Sequence, residues 1–240
     1  MHFIVVDTGD SRGSVGVCDE SNLIAVEAHG TDEDYSSWLL PAVQRVLVNS
    51  SLSLSQLGGY AVCAGPGSFT GLRVGLTTVK AWAEIYEKPI VAVSRLEALT
   101  MFEPAGRERF LAAYMDARRD QVFAALYRRA KEHVELVGEE SVIGLTAFMA
   151  RVSVETSGHP VGWVTADPKL LETQPAWQSM ASMGHVVEIA QPPFAELLGR
   201  LAYRKFLQGF TTDALSLDAN YVRRSDAEAF WTENKSALRV

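Results

Sequence analysis

The sequence predicts a two-lobed α/β protein in which each lobe is a mixed β-sheet flanked by helices. The chain has 240 residues, which fits two lobes of about 110–130 residues better than one domain. Its predicted elements follow the order β-β-β-α-β-α, and this order occurs twice. A turn-forming run at residues 103–107 divides the halves, so we place the lobes at residues 1–104 and 105–240.

The first half alternates β-rich runs and polar turns before its helices begin. Apolar residues then recur at spacings of three and four, which is typical of amphipathic helices. The predicted elements are, in order, strands at 3–6, 14–18 and 23–28, a helix at 36–49, a strand at 60–63, a helix at 71–87, a strand at 89–93 and a short helix at 95–102.

The second half begins in the same way, with a strand that ends in Asp116 as the first strand of the chain ends in Asp7. The two halves share an order of elements and few residues. The predicted elements are strands at 110–115, 121–127 and 133–137, a helix at 145–152, a strand at 161–165 and a helix at 193–208.

The composition is that of a globular protein with a substantial core, at 48% hydrophobic and 21% charged residues. The formal charge of −7 argues against an independent nucleic-acid binder, which would carry a basic excess. Cys18 and Cys63 stand in apolar runs and are expected to be buried free thiols. The start of the chain predicts a strand and no signal peptide, and no apolar run approaches a membrane span. We therefore expect a cytoplasmic protein.

The most specific stretch is a glycine-rich turn between a buried strand and a helix. It consists of Gly65-Pro66-Gly67-Ser68-Phe69-Thr70-Gly71-Leu72-Arg73. Ser68 or Thr70 is a candidate N-cap, and a helix that starts on glycine and hydroxyl residues is a potential anion site. The glycine spacing matches neither a P-loop nor a Gly-x-Gly-x-x-Gly turn. A purely structural turn and a phosphate site both stay open.

This nine-residue stretch resembles the signature of the bacterial TsaB family. The resemblance covers the first half well, and the second half mainly through element order, Asp116-Ala117-Arg118 and the stretch at 220–224. It implies the two-lobed fold shared by actin, sugar kinases and Hsp70, the ASKHA fold. It also implies a non-catalytic role beside a catalytic paralogue, TsaD, in making the threonylcarbamoyladenosine base of tRNA.

Asp7-Thr8-Gly9, at the end of the first strand, is a candidate nucleotide-binding turn. Actin-like ATPases place a phosphate- and magnesium-binding turn there and a glycine-rich adenosine loop in the second lobe. Here Asp167-Pro168-Lys169 occupies the place of that loop and carries no glycine, which weakens an ATPase interpretation. The alternative is that Asp7 and Thr8 only cap a turn.

No residue set is typical of a metal or nucleophile site. The sequence has no Gly-x-Ser-x-Gly elbow, and a metallopeptidase interpretation has no ligand set. TsaB-like proteins often carry His-Ser before Leu-Leu-Pro in the first helix, and here Tyr35 stands in place of that histidine. The five histidines are scattered and predict no metal centre: His2, His29, His133, His159 and His185.

Two further charged stretches remain to be placed. Residues 116–120 are either a charged hairpin turn with local ion pairs or a cluster that faces the cleft or a partner. Residues 220–224 are expected to dock the end of the chain on its body. The role of residues 225–240 is left open.

The two helices at 36–49 and 71–87 carry more apolar residues than one buried stripe requires. We expect one side to cover the sheet and the other to meet a partner, although burial within the lobe is the alternative. In TsaB-like proteins these helices pair with those of the catalytic paralogue or self-associate. The predicted interface residues are Trp38, Leu39, Val43, Val46, Leu72, Leu76, Val79, Trp82, Ala83 and Tyr86.

The resemblance thus implies a scaffold subunit that binds TsaD and a TsaE-like ATPase and meets tRNA only through their complex. No cofactor of its own is expected, and ATP or ADP can enter with the complex. Alone, the chain is expected to self-associate, although monomer or homodimer stays open. The alternative function is a self-contained ATP-dependent small-molecule kinase of the same fold, which the turn at Asp7 supports.

Overall fold

The computed structural model describes residues 1–20, 22–30, 33–102, 109–130 and 133–222. The first lobe is built on a five-stranded mixed sheet. Its strands are β1 His2–Asp7, β2 Ser14–Asp19, β3 Asn22–Ala28, β4 Gly59–Gly65 and β5 Ile90–Ser94. They lie in the order β3-β2-β1-β4-β5, with β1–β2 and β2–β3 antiparallel and β1–β4 and β4–β5 parallel.

The second lobe repeats this sheet. Its strands are β6 Phe110–Arg118, β7 Gln121–Ala130, β8 His133–Gly144, β9 Val161–Thr165 and β10 Val186–Ile189. They lie in the order β8-β7-β6-β9-β10, with the same two antiparallel and two parallel pairs. The predicted fold class, two lobes that are each a mixed sheet flanked by helices, is confirmed.

The helices of the described residues connect or follow these strands. They are α1 Tyr35–Ser50, α2 Phe69–Tyr86, α3 Arg95–Leu99, α4 Leu145–Glu155, α5 Pro168–Glu172, α6 Trp177–Ser182 and α7 Ala195–Leu207, with a 3-10 turn at Leu54–Gln56. Within these residues, no helix has the length and apolar character that a bilayer crossing requires. The sequence did not predict α5, α6 or β10, because elements of four to six residues are too short to establish a periodicity.

The last helix of each half contacts the sheet of the other half. α7 lies against β1, β2, β3 and β5 of the first sheet, whereas α3 contacts β6, β7 and α7. One continuous core therefore contains Val5 of β1, Leu198 of α7 and Leu111 of β6. The expectation that residues 193–208 belong to the second lobe is corrected, because α7 covers the first sheet. The division at 104/105 lies outside the described residues.

The glycine-rich turn before α2 packs directly on the turn that follows β1. A Cβ atom at Gly67 would lie 2.2 Å from the carbonyl oxygen of Gly9, and one at Gly71 would lie 2.2 Å from that of Thr8. The Ser68 amide donates a hydrogen bond to the Gly9 oxygen at 2.6 Å, and the Ser68 hydroxyl accepts from the Gly71 amide at 3.3 Å. The glycines therefore permit backbone contact between the two turns, as the structural interpretation of the motif requires.

We expect Gly71→Ala to lower the free energy of unfolding by about 1–3 kcal/mol, because the new methyl group meets backbone atoms that cannot move aside. Urea denaturation measures the change. Gly30→Ala is the matched control, since a Cβ there has no neighbour within 4 Å. Equal stability of the two variants would show that the turns separate without cost.

Candidate functional site

The candidate site is the cleft between the lobes, where the structure brings four stretches of the sequence together. A cavity of about 340 Å³ lies there. It is lined by the turn after β1, the start of α2, the β6–β7 turn and the last described residues: Gly9, Asp10, Ser11, Gly67, Ser68, Phe69, Met115, Asp116, Ala117, Arg118, Arg119, Phe123, Asn220, Tyr221 and Val222. A second cavity of about 420 Å³, between α3, α7 and the start of β8, contains none of the predicted site residues.

The predicted nucleotide-binding turn contributes little to this cavity. Asp7 and Thr8 are 0% and 1% exposed, and of the three residues only Gly9 lines the cavity. Asp7 Oδ1 accepts the Gly9 amide at 3.0 Å. Its other oxygen, Oδ2, lies 2.9 Å from Nη2 of Arg95, which is also fully buried. A cation of the chain itself therefore neutralises the carboxylate of this turn.

Arg95 is the residue of this cluster that sequence analysis missed. It is the first residue of α3, and its guanidinium lies 5.1 Å from the ring centroid of Phe194, a geometry suited to a cation–π contact. The same Nη2 atom donates to Asp10 Oδ1 at 2.9 Å. An arginine at a helix start has no local sequence feature that pairs it with carboxylates 85 or more positions earlier.

Burial and neighbouring charges shift the pKa values of this cluster in opposite directions. Burial raises the pKa of Asp7, and the attraction of Arg95 only partly offsets it. Burial also acts to raise the pKa of Asp10, but the guanidinium groups of Arg95 and Arg12 outweigh it and lower that pKa to about 2. Burial disfavours the charge on Arg95, whereas Asp7 and Asp10 stabilise it and raise its pKa.

The ionic chain continues from the first lobe into the second. Nη2 of Arg12 lies 2.7 Å from Asp10 Oδ2, and its Nη1 lies 2.8 Å from Asp167 Oδ1. Asp167 Oδ2 in turn accepts the amide of Asp116 at 3.0 Å. Asp167, in the segment that occupies the place of an adenosine loop, thus forms an ion pair that links the second lobe to the first.

Tyr35, which stands in place of the family histidine, forms hydrogen bonds to the backbone of the turn between β1 and β2. Its hydroxyl accepts a hydrogen bond from the Gly13 amide at 2.9 Å and donates to the carbonyl oxygen of Asp10. Its ring stacks on His29 with 4.1 Å between centroids. Burial raises the pKa of Tyr35, so the hydroxyl stays protonated and keeps its donor.

Asn220 docks on the glycine-rich turn, as expected for this stretch. Its amide donates to the carbonyl oxygen of Ala64 at 2.7 Å, and its side-chain amide donates to Glu140 Oε2 at 2.5 Å. Gly65 has a φ of +128°, and a Cβ there would lie 2.6 Å from the carbonyl oxygen of Asn220. Only glycine suits this position on both counts. Arg223, Arg224 and residues 225–240 lie outside the described residues.

The charged stretch at 116–120 forms the turn between β6 and β7 and lines the cleft. Asp116 Oδ1 accepts the Arg118 amide at 2.7 Å, and Asp116 Oδ2 lies 3.2 Å from Nη1 of Arg118. Arg118, Arg119 and Asp120 all have positive φ angles between 55° and 62°. Both interpretations hold here, because the turn has a local ion pair and also faces the cavity.

Nearly all of the predicted interface residues are buried in the hydrophobic core. Trp38, Leu39, Val43, Val46, Leu72, Leu76, Val79, Trp82 and Ala83 are buried, and only Tyr86 is half-buried. The expectation that the extra apolar side chains face outward is corrected. α2 packs on β4, β1 and β5 and also contacts α1 and the 3-10 turn, so its apolar side chains meet neighbours within the lobe. Whether these helices bind a partner stays a prediction, and a partner would meet their outer faces.

We expect Asp10→Asn to lower the free energy of unfolding at pH 7 by about 2 kcal/mol, because the folded-state pKa of Asp10 is about 2 against an ordinary 3.8. A lowered folded-state pKa stabilises the protein above the ordinary pKa, and this contribution is lost as pH falls towards 2. The difference between variant and wild type should therefore shrink between pH 4 and pH 2 in urea denaturation. Asp34→Asn, at an exposed carboxylate, is the control, and a difference independent of pH would contradict the prediction.

The comparisons with known proteins agree with this architecture. The family model described as "TsaD: tRNA N6-adenosine threonylcarbamoyltransferase" matches residues 29–191. The tRNA threonylcarbamoyladenosine biosynthesis protein TsaB of Bacillus subtilis (strain 168) is 27% identical over 98% of this chain and 100% of its own length. The protein of the same name from Escherichia coli (strain K12) is 28% identical over 95% of this chain and 96% of its own length.

Solved structures show the likeness in fold. YeaZ from Pseudomonas aeruginosa superposes with a TM-score of 0.73 at 24% identity, covering 92% of this chain and 99% of YeaZ. The ROK hexokinase from Thermus thermophilus superposes with a TM-score of 0.52 at 13% identity, covering 87% of this chain and all of the hexokinase. The lobes are thus those of the ASKHA fold. With the family model and the relatives that match along their whole length, the chain belongs to the TsaB family, within the wider family that the threonylcarbamoyltransferase model describes.

Proposed function

We propose that this chain is a non-catalytic subunit in the synthesis of N6-threonylcarbamoyladenosine at position 37 of tRNA. In this role it binds and activates the catalytic paralogue TsaD, together with the ATPase TsaE. The names of its full-length relatives place them in tRNA threonylcarbamoyladenosine biosynthesis. The division of labour between subunits is our inference from the site.

The observation that carries the proposal is the buried pair of Asp7 and Arg95. A catalytic site of this fold class needs the carboxylate after β1 to reach a metal ion and phosphate groups. Here the Asp7 side chain is fully buried and lies 2.9 Å from a guanidinium of the chain. Gly67 and Gly71 seal the same turn with backbone contacts. Groups engaged in this way hold the fold and are not available for phosphoryl chemistry.

Partner binding is supported by the outer faces of α1 and α2, which contact each other. Leu40 and Val48 of α1 are 58% and 69% exposed, and Ile85 of α2 is 70% exposed. Apolar side chains with this exposure on adjacent helices favour a surface that a partner covers. The buried residues beneath them, from Trp38 to Ala83, give these helices a rigid base.

The rest of the proposal follows from this role. The subunit needs no cofactor of its own, and ATP or ADP enters with the ATPase. With a net charge of −7, it meets tRNA only within the complex, in the cytoplasm. Without its paralogue it self-associates through the same helices.

We expect light scattering to show a homodimer that exchanges into a one-to-one heterodimer when the paralogue from the same genome is added. Val48→Asp on α1 and Ile85→Asp on α2 should each abolish the heterodimer, because an unpaired carboxylate would be desolvated in the interface. Val154→Asp on α4, at a residue 78% exposed, is the matched control and should pair normally. All three variants should keep the circular dichroism spectrum of the wild type.

If light scattering shows no complex between the wild-type chain and the paralogue, the proposal is wrong. The kinase alternative then has its own test, a titration of the isolated chain with Mg-ATP. Binding that Asp7→Asn removes while the variant keeps the circular dichroism spectrum of the wild type would favour the kinase, since that variant keeps the side-chain size and loses the charge.

A further inference from the structure

We propose that Arg73 is a preorganised receptor for a carboxylate side chain of the partner that binds α2. This inference rests on the proposed function and names the chemistry of one contact in it. Arg73 lies in the second turn of α2, and its side chain is exposed. It belongs to the family signature, and none of the glycine contacts that explain the rest of that signature involves it.

The guanidinium of Arg73 is held by two aromatic side chains. Its central carbon lies 3.7 Å from the ring centroid of Phe69, which is a close stacking distance. Its Nε donates a hydrogen bond to the hydroxyl of Tyr221 at 3.1 Å. The rings of Phe69 and Tyr221 are themselves 5.0 Å apart. Stacking from one side and a hydrogen bond at Nε together fix the plane of the guanidinium.

Tyr221 can hold Arg73 because the preceding residue is anchored to the second lobe. The side chain of Asn220 donates to Glu140 Oε2 of β8 at 2.5 Å. Glu140 Oε1 accepts from Ser94, at the start of α3, and from Tyr127 of β7 at 3.0 Å. One carboxylate thus joins four segments and positions Asn220 beside the glycine-rich turn. The orientation of Arg73 therefore depends on both lobes.

The hydrogen bond to Tyr221 uses the Nε–H group of Arg73 and leaves the fork formed by its two terminal nitrogens for another acceptor. Among the described residues, no carboxylate lies within 4.0 Å of them, and the first turn of α2 carries no acidic residue. The positive end of the helix dipole adds to this charge. A planar fork of two N–H groups matches the two oxygens of a carboxylate. Because the fork is already oriented, little side-chain entropy is lost on binding.

A purely structural role for Arg73 is the competing explanation, in which the residue only holds Tyr221 in place. The two roles differ in what the terminal nitrogens do. A structural arginine would matter to the order of residues 66–73 and 220–222 and not to the partner. A receptor would matter to affinity and to its salt dependence, even where the loop stays ordered.

The experiment measures the affinity for the paralogue by calorimetry at 50 and 300 mM NaCl, for the full chain and its variants. Arg73→Gln should bind at least about tenfold more weakly at low salt, and its affinity should depend less on salt than that of the wild type. Arg73→Lys should not restore full affinity, because it keeps the charge and loses the planar fork. Tyr221→Phe should weaken binding about threefold to tenfold, since the ring stays and the acceptor of the Nε hydrogen bond is lost.

Arg128→Gln is the matched control, because Arg128 is an exposed arginine of β7 that pairs with Glu135 within the chain. It should bind as the wild type does. Amide exchange of residues 66–73 is followed in every variant. If Arg73→Gln binds with wild-type affinity and salt dependence, the receptor role is wrong, whatever the exchange rates. If the wild type itself does not bind the paralogue, the proposed function fails first, and this inference fails with it.

Discussion

The buried ion pair between Asp7 and Arg95 is the constraint on which the rest of the structure depends. Each group is completely removed from water, and a lone charge in that position is strongly destabilising, on the order of 3–5 kcal/mol when one partner is removed. The pair therefore ties the end of β1 to the start of α3. From there the charges continue through the partly exposed Asp10 and Arg12 to Asp167, so that the ionic chain also joins the second lobe to the first.

The backbone contacts of the glycine-rich turn also hold neighbouring segments in fixed positions. Its spacing permits a helix start, a strand end and the segment at Asn220 to meet backbone to backbone, where any side chain at Gly67 or Gly71 would collide. The features that suggest an anion site, free amide groups and a hydroxyl at a helix start, are partly used by the chain itself, since Ser68 bonds to Gly9 and Gly71. An architecture that other members of the fold use to hold a ligand is here closed by internal contacts, which favours a rigid scaffold.

Sequence reasoning predicted nine of the ten strands of the described residues and the repeated order of elements, because β-rich runs bounded by polar turns are local signals. It also predicted α1 and α2 but assigned their second apolar side to a partner. Periodicity shows that a side chain such as Val79 or Trp82 is covered and does not show which surface covers it. The packing of α7 on the first sheet and the pairing of Arg95 with Asp10 join residues 85 or more positions apart, and no local sequence pattern predicts them. Sequence analysis singled out the stretches at residues 9, 67–69 and 116–119 separately and did not predict that they line one cavity, nor that Arg95 pairs with Asp10 beside it.

Under the proposed function, these contacts would let the chain present a specific surface to its partner. The outer face of α2 is not built by α2 alone, because Arg73 depends on Tyr221, and Tyr221 follows a residue held by Glu140 of the other lobe. Any change in the angle between the lobes would move Glu140 relative to the glycine-rich turn and so disturb the orientation of Arg73. The ionic chain through Arg12 and Asp167 opposes such a change. Under the proposed function, contacts that fix the angle between the lobes would keep the binding surface in one conformation, whereas a kinase needs its lobes to close on the substrate.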